Sequence, residues 1–432
     1  MNLASVYVRS FGCSTNFADG EILAGCLAAS GYTLVETVEE ADVVVYNTCA
    51  VKGPTEDRVI EALKRIPQNT RLVVCGCLPL IHPKRLSKLR VDAVTGPAIG
   101  DKIVNTVEHV LNGERIVSLD HATKAKPSLK LPRIKRNPIV GIIPISYGCM
   151  GDCTYCCVVL ARGRLRSYTI TEITDRCFSD MASGVHELWL TSQDTACYGR
   201  DIDTNLAALL GVLCEIKEDF RIRVGMMTPT VSKDLLGEIV QAFKSMKIFK
   251  FVHLPVQSGD DRTLKLMKRP YSADEFVTAV STFRKEFPDI TVATDIICGF
   301  PGETQEAFER TLNVIRQVQP DIVNISRFFP RPGTAAANMR WDFLDPSEIK
   351  LRSRIASKLA KEVVAERNKR WLGWTGEILV DEIGRSPGSL VGRNFAYKPV
   401  VVKNVCPDRT LGRVLEVRVT ETHATFLEGK IE

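Results

Sequence analysis

Residues 140–156 read Val-Gly-Ile-Ile-Pro-Ile-Ser-Tyr-Gly-Cys-Met-Gly-Asp-Cys-Thr-Tyr-Cys, an apolar run that breaks at Gly148 into a loop carrying Cys149, Cys153 and Cys156. Such a run, bounded by glycine, reads as a buried strand. The segments after it repeat the theme. Strand patterns at Val140–Ile145, Glu187–Leu190, Ile222–Met226, Phe251–Pro255, Ile290–Ile296 and Asp321–Ile325 alternate with helical patterns near 171–183, 205–218, 233–246, 273–286 and 304–318. Six β/α units in series predict a partial (β/α)6 barrel, and in such folds chemistry gathers at the carboxyl ends of the strands. The cysteine loop follows the first strand, at that end.

Outward from this core the texture changes twice. Residues 1–118 alternate Val-rich strands (Ser5–Val8, Asp42–Tyr46, Arg71–Cys75) with helical stretches, which predicts an amino-terminal parallel α/β domain. Residues 119–138 form a linker in which Lys124, Lys126, Lys130, Arg133, Lys135 and Arg136 meet no acid between His121 and Pro138. The barrel domain spans 139–370 and closes with a helix over 348–368, where Leu351, Ile355, Leu359 and Val363 make an apolar stripe beneath a basic face. Residues 371–432 hold short strand patterns broken by Gly, Pro and Asp, which predicts a small β-barrel.

A composition of 45% hydrophobic and 25% charged residues excludes disorder and collagen-like structure. No apolar run reaches membrane-spanning length, and the amino terminus lacks a basic segment followed by an apolar core. A cytoplasmic protein with no membrane association is expected. Net charge is +6, and the linker alone equals that excess. With the basic helix, whose residues 348–370 hold eight Lys/Arg against three Glu, it makes a polyanion such as RNA a candidate partner.

Fourteen cysteines in a chain of this length, without an export signal, point to metal or catalysis rather than disulfides. Three thiolates at C-x3-C-x2-C can hold three irons of a [4Fe–4S] cluster and leave the fourth open. A zinc site wants four ligands; Cys157 is the available fourth, and its adjacency to Cys156 makes that geometry awkward. In the amino-terminal domain Cys13, Cys49 and Cys77 each follow a strand, where parallel sheets build their sites. They are candidates for a second cluster. Cys75 continues the apolar run Leu-Val-Val and reads as strand interior, and Cys26 as core. Gln193, Asp194, Gln257, Ser258 and Asp295 fall at or just beyond carboxyl ends of barrel strands. Arg162, Arg164 and Arg166 are candidates for phosphate or carboxylate contact, or for a solvated helix face.

The cysteine loop resembles that of the radical S-adenosylmethionine enzymes, which implies that the open iron chelates S-adenosylmethionine and that Tyr155 packs near its adenine. FGCSTNFADGE, ADVVVYNTCAVKGPTEDR, GCLP, ARGRLRSY, TSQDTACYGRD, HLPVQSGDDRTLKLMKR, TDIICGFPGET and FPRPGTAA resemble blocks of the methylthiotransferase family, over nearly the whole chain. STN, TSQD and VKGPTE are most similar to its archaeal and eukaryotic branch, which converts N6-threonylcarbamoyladenosine beside the tRNA anticodon to its 2-methylthio derivative. GRSPGSLVGRNFAYKPVVVK, with Arg393, resembles the RNA-binding TRAM domain.

The resemblance implies two [4Fe–4S] clusters: one on Cys149, Cys153 and Cys156 for radical generation, the other on Cys13, Cys49 and Cys77 carrying the sulfur. It implies that Gln193, Asp194, Gln257, Ser258 and Asp295 surround S-adenosylmethionine and the base. It also implies a tRNA anticodon stem-loop, an external electron donor and a sulfur source as partners. Relatives acting on isopentenyladenosine or on a ribosomal-protein aspartate are alternatives, as is a non-catalytic RNA-binding iron–sulfur protein. Leu80, Thr228 and Cys157 depart from the common family pattern.

Overall fold

The computed structural model describes residues 4–50, 53–119, 122–229, 233–406 and 410–432. Val51 and Lys52 of the VKGPTE block, and Asp120 and His121 at the head of the basic linker, lie outside the described residues. Among those described, no helix is long and apolar enough to cross a membrane.

The amino-terminal sheet holds Ser5–Ser10 (β1), Thr33–Leu34 (β2), Val43–Thr48 (β3), Arg71–Gly76 (β4), Ala93–Thr95 (β5) and Ile116–Ser118 (β6), in the order β2-β1-β3-β4-β5-β6 and parallel throughout. Sequence patterning finds β1, β3 and β4 and misses the other three, which have two or three residues each. That is too short for a period to show. β3 is buried at every position, as a central parallel strand covered on both faces must be.

Val140–Pro144 (β7) leads through Ser146–Tyr147 (β8) into the cysteine loop, and Arg166–Ser167 (β9) returns antiparallel to β8. Glu187–Thr191 (β10) and Arg221–Val224 (β11) complete a parallel sheet ordered β11-β10-β7. Phe251–His253 (β12), Thr291–Cys298 (β13) and Ile322–Arg327 (β14) form a second parallel sheet. Single backbone bonds, Phe249 N–H to Ile222 O and Met227 N–H to His253 O, both 2.9–3.0 Å, join the two into one arc. This is the partial barrel. One difference matters for the site: β13 runs two residues past the expected end, so Asp295 stands within the strand and not at its tip.

The helix Pro346–Lys369 forms where expected, but its stripe is not simply inward. Leu351 and Ile355 are exposed, while Ala356, Ala360 and Arg352 are buried. Small residues bring this helix close to the barrel, and Arg352 pairs with the buried Glu303 at 2.9 Å. Thr375–Ile383 (β15), Ser389–Arg393 (β16), Pro399–Lys403 (β17), Val414–Thr422 (β18) and Leu427–Ile431 (β19) close a barrel ordered β15-β16-β17-β19-β18 around Trp371.

Candidate metal centres

In the amino-terminal sheet, three loops leave the carboxyl edge and are laced to one another. The Asn16 amide donates to Phe11 O and Thr48 O, and Asn47 Nδ2 donates back to Asn16 O at 2.6 Å. The Thr48 hydroxyl donates to Cys75 O, and Cys77 N–H donates to Thr48 O at 2.9 Å. Each loop therefore holds the next, and the cysteines they carry, Cys13, Cys49 and Cys77, share one edge.

Two glycines make that approach possible. Gly12 sits at φ +111°, and a Cβ there would stand 2.7 Å from the Cys49 sulfur. Gly76 sits at φ +96°, with Thr48 O where its Cβ would fall. Both are left-handed positions where side chains are strained. Cys77 is buried, and desolvation raises its thiol pKa. Cys75 lies in the strand layer with its thiol toward Tyr46 O at 3.6 Å, and Cys26 packs in the core.

The second thiol group lies on the loop between β8 and the helix Val158–Arg162. Gly151 N–H donates to Cys149 Sγ at 3.3 Å, and the sulfurs of Cys149 and Cys153 both lie 3.5 Å from the place a Gly151 Cβ would take. Burial pushes the Cys149 thiol up to about 11 and the Cys156 thiol higher still. Such thiols stay protonated at neutral pH unless a cation displaces the proton, as iron does on binding. Arg269 Nη1 donates to Cys153 Sγ at 2.9 Å, and its other nitrogens reach Tyr271 Oη and Thr228 Oγ1. Sequence reading assigned Arg269 no role, since nothing local distinguishes it from the preceding lysines.

The rim residues divide. Asp194 stands beside this loop: Oδ1 accepts from Ala196 N–H and Thr228 N–H, and Oδ2 from the thiol of Cys197, a residue without a sequence signal. Gln193 Nε2 donates across to Thr15 Oγ1 at 3.3 Å. Gln257 takes φ +68° and exchanges backbone bonds with β13. Tyr155 packs edge-on against Phe300 with ring centroids 6.4 Å apart. Asp295 holds His253 Nε2 at 2.9 Å and accepts from Asn324 Nδ2 at 2.8 Å. Ser258 is wholly buried, its hydroxyl engaged with Thr311 Oγ1 and Asp260 N–H, so it lies beneath the rim rather than on it.

The basic residues divide too. Lys124, Lys126, Lys130 and Arg136 are exposed, although Lys126 Nζ donates to Ser167 O and Arg136 lies over the Phe17 ring. Arg133 donates inward to Ile142 O, and Lys135 pairs with the buried Asp180. Arg393 is held by Asp381 and Glu382. These three are turned to protein because neighbouring carboxylates and carbonyls supply acceptors that a composition count does not reveal. Arg164 pairs with Asp152 at the surface. Arg162 is not on a solvated face at all; it is buried against the amino-terminal domain.

Cys157, adjacent to Cys156, turns its thiol toward the amino-terminal domain. Its thiol approaches Ala50 O at 3.6 Å. Between the domains, Ser14 Oγ and Thr191 Oγ1 are 2.6 Å apart, so the edge carrying Cys13 abuts the rim beyond β10.

Residues 5–96 match the uncharacterized protein family UPF0004, 143–315 the radical SAM superfamily and 369–431 the TRAM domain. The fold is similar to that of the radical S-adenosylmethionine methyltransferase TsrM from Kitasatospora setae (TM-score 0.57, 13% identity, 77% of this chain and 74% of that one). A probable threonylcarbamoyladenosine tRNA methylthiotransferase from Pyrococcus horikoshii is 40% identical over 99% of this chain and 100% of its own length. The human threonylcarbamoyladenosine tRNA methylthiotransferase is 36% identical over 99% of this chain and 74% of its own. Matched from end to end at this identity, the chain belongs to the threonylcarbamoyladenosine tRNA methylthiotransferase family.

Proposed function

We propose that the protein adds a methylthio group to C2 of N6-threonylcarbamoyladenosine at position 37 of tRNA, beside the anticodon, with Cys149, Cys153 and Cys156 holding the radical-generating cluster and Cys13, Cys49 and Cys77 the sulfur-carrying one. When bound, the two [4Fe–4S] clusters with S-adenosylmethionine supply the radical and sulfur chemistry that an unactivated C–H bond demands. The observation that carries this reading is the interlacing of three cysteine loops on one sheet edge that abuts the rim beside the radical loop.

The protein's own residues do the placing. Arg269 holds Cys153 through a charged hydrogen bond, and Asp194 anchors the turn that follows β10 while facing Cys149. Gln193, Gln257 and Asp295, with His253, line the same end of the barrel and supply polar contacts for cofactor and base. Tyr155 presents an aromatic surface at the loop. Lys124, Lys126 and Lys130, together with the carboxy-terminal barrel, meet phosphates of the anticodon stem-loop, which position the tRNA without reading its sequence. Unstacked loop bases are left to carry specificity. An external donor delivers the electron, an external source replenishes sulfur, and the cytoplasm is where the protein meets its tRNA.

The test is mass spectrometry of nucleosides from threonylcarbamoylated tRNA after anaerobic incubation with cluster-reconstituted protein, S-adenosylmethionine, sulfide and reductant. The methylthio nucleoside is expected, and Cys13→Ala should abolish it while leaving 5′-deoxyadenosine formation intact. Accumulation of 5′-deoxyadenosine alone with the unmodified enzyme would redirect the assignment to isopentenylated tRNA or a protein substrate. Loss of all cleavage in folded Cys13→Ala would overturn the division of labour between the clusters.

A further inference from the structure

Arg162 ends the short helix after the radical loop, yet its side chain enters the other domain. It is 2% exposed. Nη2 donates to Asn16 Oδ1 at 2.8 Å and to Asp19 Oδ2 at 2.7 Å, both on the helix that begins beside Cys13. The guanidinium lies 5.6 Å from the centroid of the Tyr147 ring, and the Tyr147 hydroxyl donates to the other oxygen of Asp19. Each oxygen of Asp19 is thus engaged, one by a cation and one by a hydroxyl.

A second nitrogen, Nη1, is fully enclosed and has no hydrogen-bond partner. A buried donor left so costs about 1–3 kcal/mol unless an acceptor arrives. The helix that Arg162 ends packs on Leu78–Ile81, the turn directly after Cys77, and Ala161 shares a core with Cys77. Burial raises the Cys77 pKa and the charge of Arg162 opposes it, and Cys13 also lies within the guanidinium's field. The other groups facing Arg162 are Asp19 and Tyr147. One carboxylate answers one positive charge, which leaves a buried donor over in the neighbourhood of Cys77 and Cys13.

We propose that Arg162 is a positioning residue for the amino-terminal cluster, donating Nη1–H to sulfur at Cys77 and thereby setting that cluster's reduction potential from the radical domain. This rests on Cys13, Cys49 and Cys77 being its ligands. Hydrogen bonds to cluster sulfur and nearby positive charge stabilise the reduced, more negative state. Because Arg162 sits six residues after Cys156, the same side chain that tunes one cluster is tethered to the loop that holds the other. The sulfur-carrying cluster reaches its working potential only with the two domains docked.

The test uses the full chain with Cys149, Cys153 and Cys156 replaced by alanine, so that iron loads at the amino-terminal site alone, and reads the midpoint by redox titration with electron paramagnetic resonance. Arg162→Gln combined with Asp19→Asn removes Nη1 and leaves the net charge unchanged, so that the midpoint reports the lost donor. It should lower the reduced-to-oxidised ratio at fixed potential about tenfold, a fall of ~59 mV for one electron. Arg162→Lys keeps the charge but loses the second arm of the fork, and should shift the midpoint the same way by less. An unchanged midpoint in either folded variant overturns the proposal, as does failure of both apo-variants to fold, which would make Arg162 a latch for the fold alone. Failure of the underlying ligand assignment is read separately: Cys77→Ala in the same background would then still load iron.

Discussion

Arg331→Met removes a cation from Glu56, a carboxylate 1% exposed that joins the amino-terminal domain to the barrel. Glu56 Oε2 meets Arg331 Nη1 at 2.5 Å across 275 residues of sequence, while Oε1 holds His82 Nδ1 at 2.6 Å and Arg85 Nη1 at 2.7 Å. Breaking a buried pair from one side costs about 3–5 kcal/mol, because the partner is left in a poor solvent. Here Arg85 and His82 remain, both about a third exposed, so the low end applies: about 3 kcal/mol, or roughly a hundredfold in the docking equilibrium.

Two assays check this. Thermal melting of the apo-protein should show the amino-terminal domain's transition about 12 °C lower, with Glu56→Gln added to Arg331→Met recovering at least half of the loss. In turnover, the methylthio nucleoside formed per 5′-deoxyadenosine should fall, since the radical loop is intact but the second thiol group no longer abuts it. A variant as stable and as well coupled as the parent, or a double variant no better than the single one, would refute the reasoning.

Gly76→Ala places a Cβ 2.3 Å from Thr48 O at φ +96°; strain of about 1–3 kcal/mol plus the clash should displace Cys77 and cost the protein about half of its bound iron, read by iron analysis with the radical-cluster signal retained. Glu21 is buried, and desolvation raises its pKa to about 7 from an ordinary 4.5. Its contribution is therefore favourable below pH 4.5 and is lost as pH rises through 7. Glu21→Gln should remove up to about 3 kcal/mol of that pH dependence, seen as a flatter difference in melting between pH 5 and pH 8. Lys124→Glu with Lys130→Glu should reduce the salt slope of tRNA binding by roughly two, measured by filter binding over a salt series; an unchanged slope would remove the linker from the phosphate contacts.

What the chain declares by itself is what local spacing can encode. Thiols at 149, 153 and 156 on a loop after an apolar strand, glycine before Cys13 and Cys77, and alternating strand and helix patterns are all read within windows of a few residues, where geometry follows directly from order. The three-part organisation and the six candidate ligand positions were legible on that basis. Cys77 rather than Cys75 is the candidate on the same ground, because a strand's apolar run announces its own end.

The tertiary structure alone decided the rest, and for one reason: those contacts pair residues that no local spacing joins, some of them more than a hundred positions apart. Arg162 resembles Arg164 in sequence, yet packing seals one against Asp19, 143 residues away, and leaves the other at the surface. Arg133 and Arg393 belong to basic segments but turn inward, because a carbonyl at Ile142 and carboxylates at Asp381 and Glu382 stand there to receive them. Glu56 and Arg331 lie in separate motifs whose connection is one buried ion pair. A charge declares itself in the sequence, but its counter-charge is chosen by the fold.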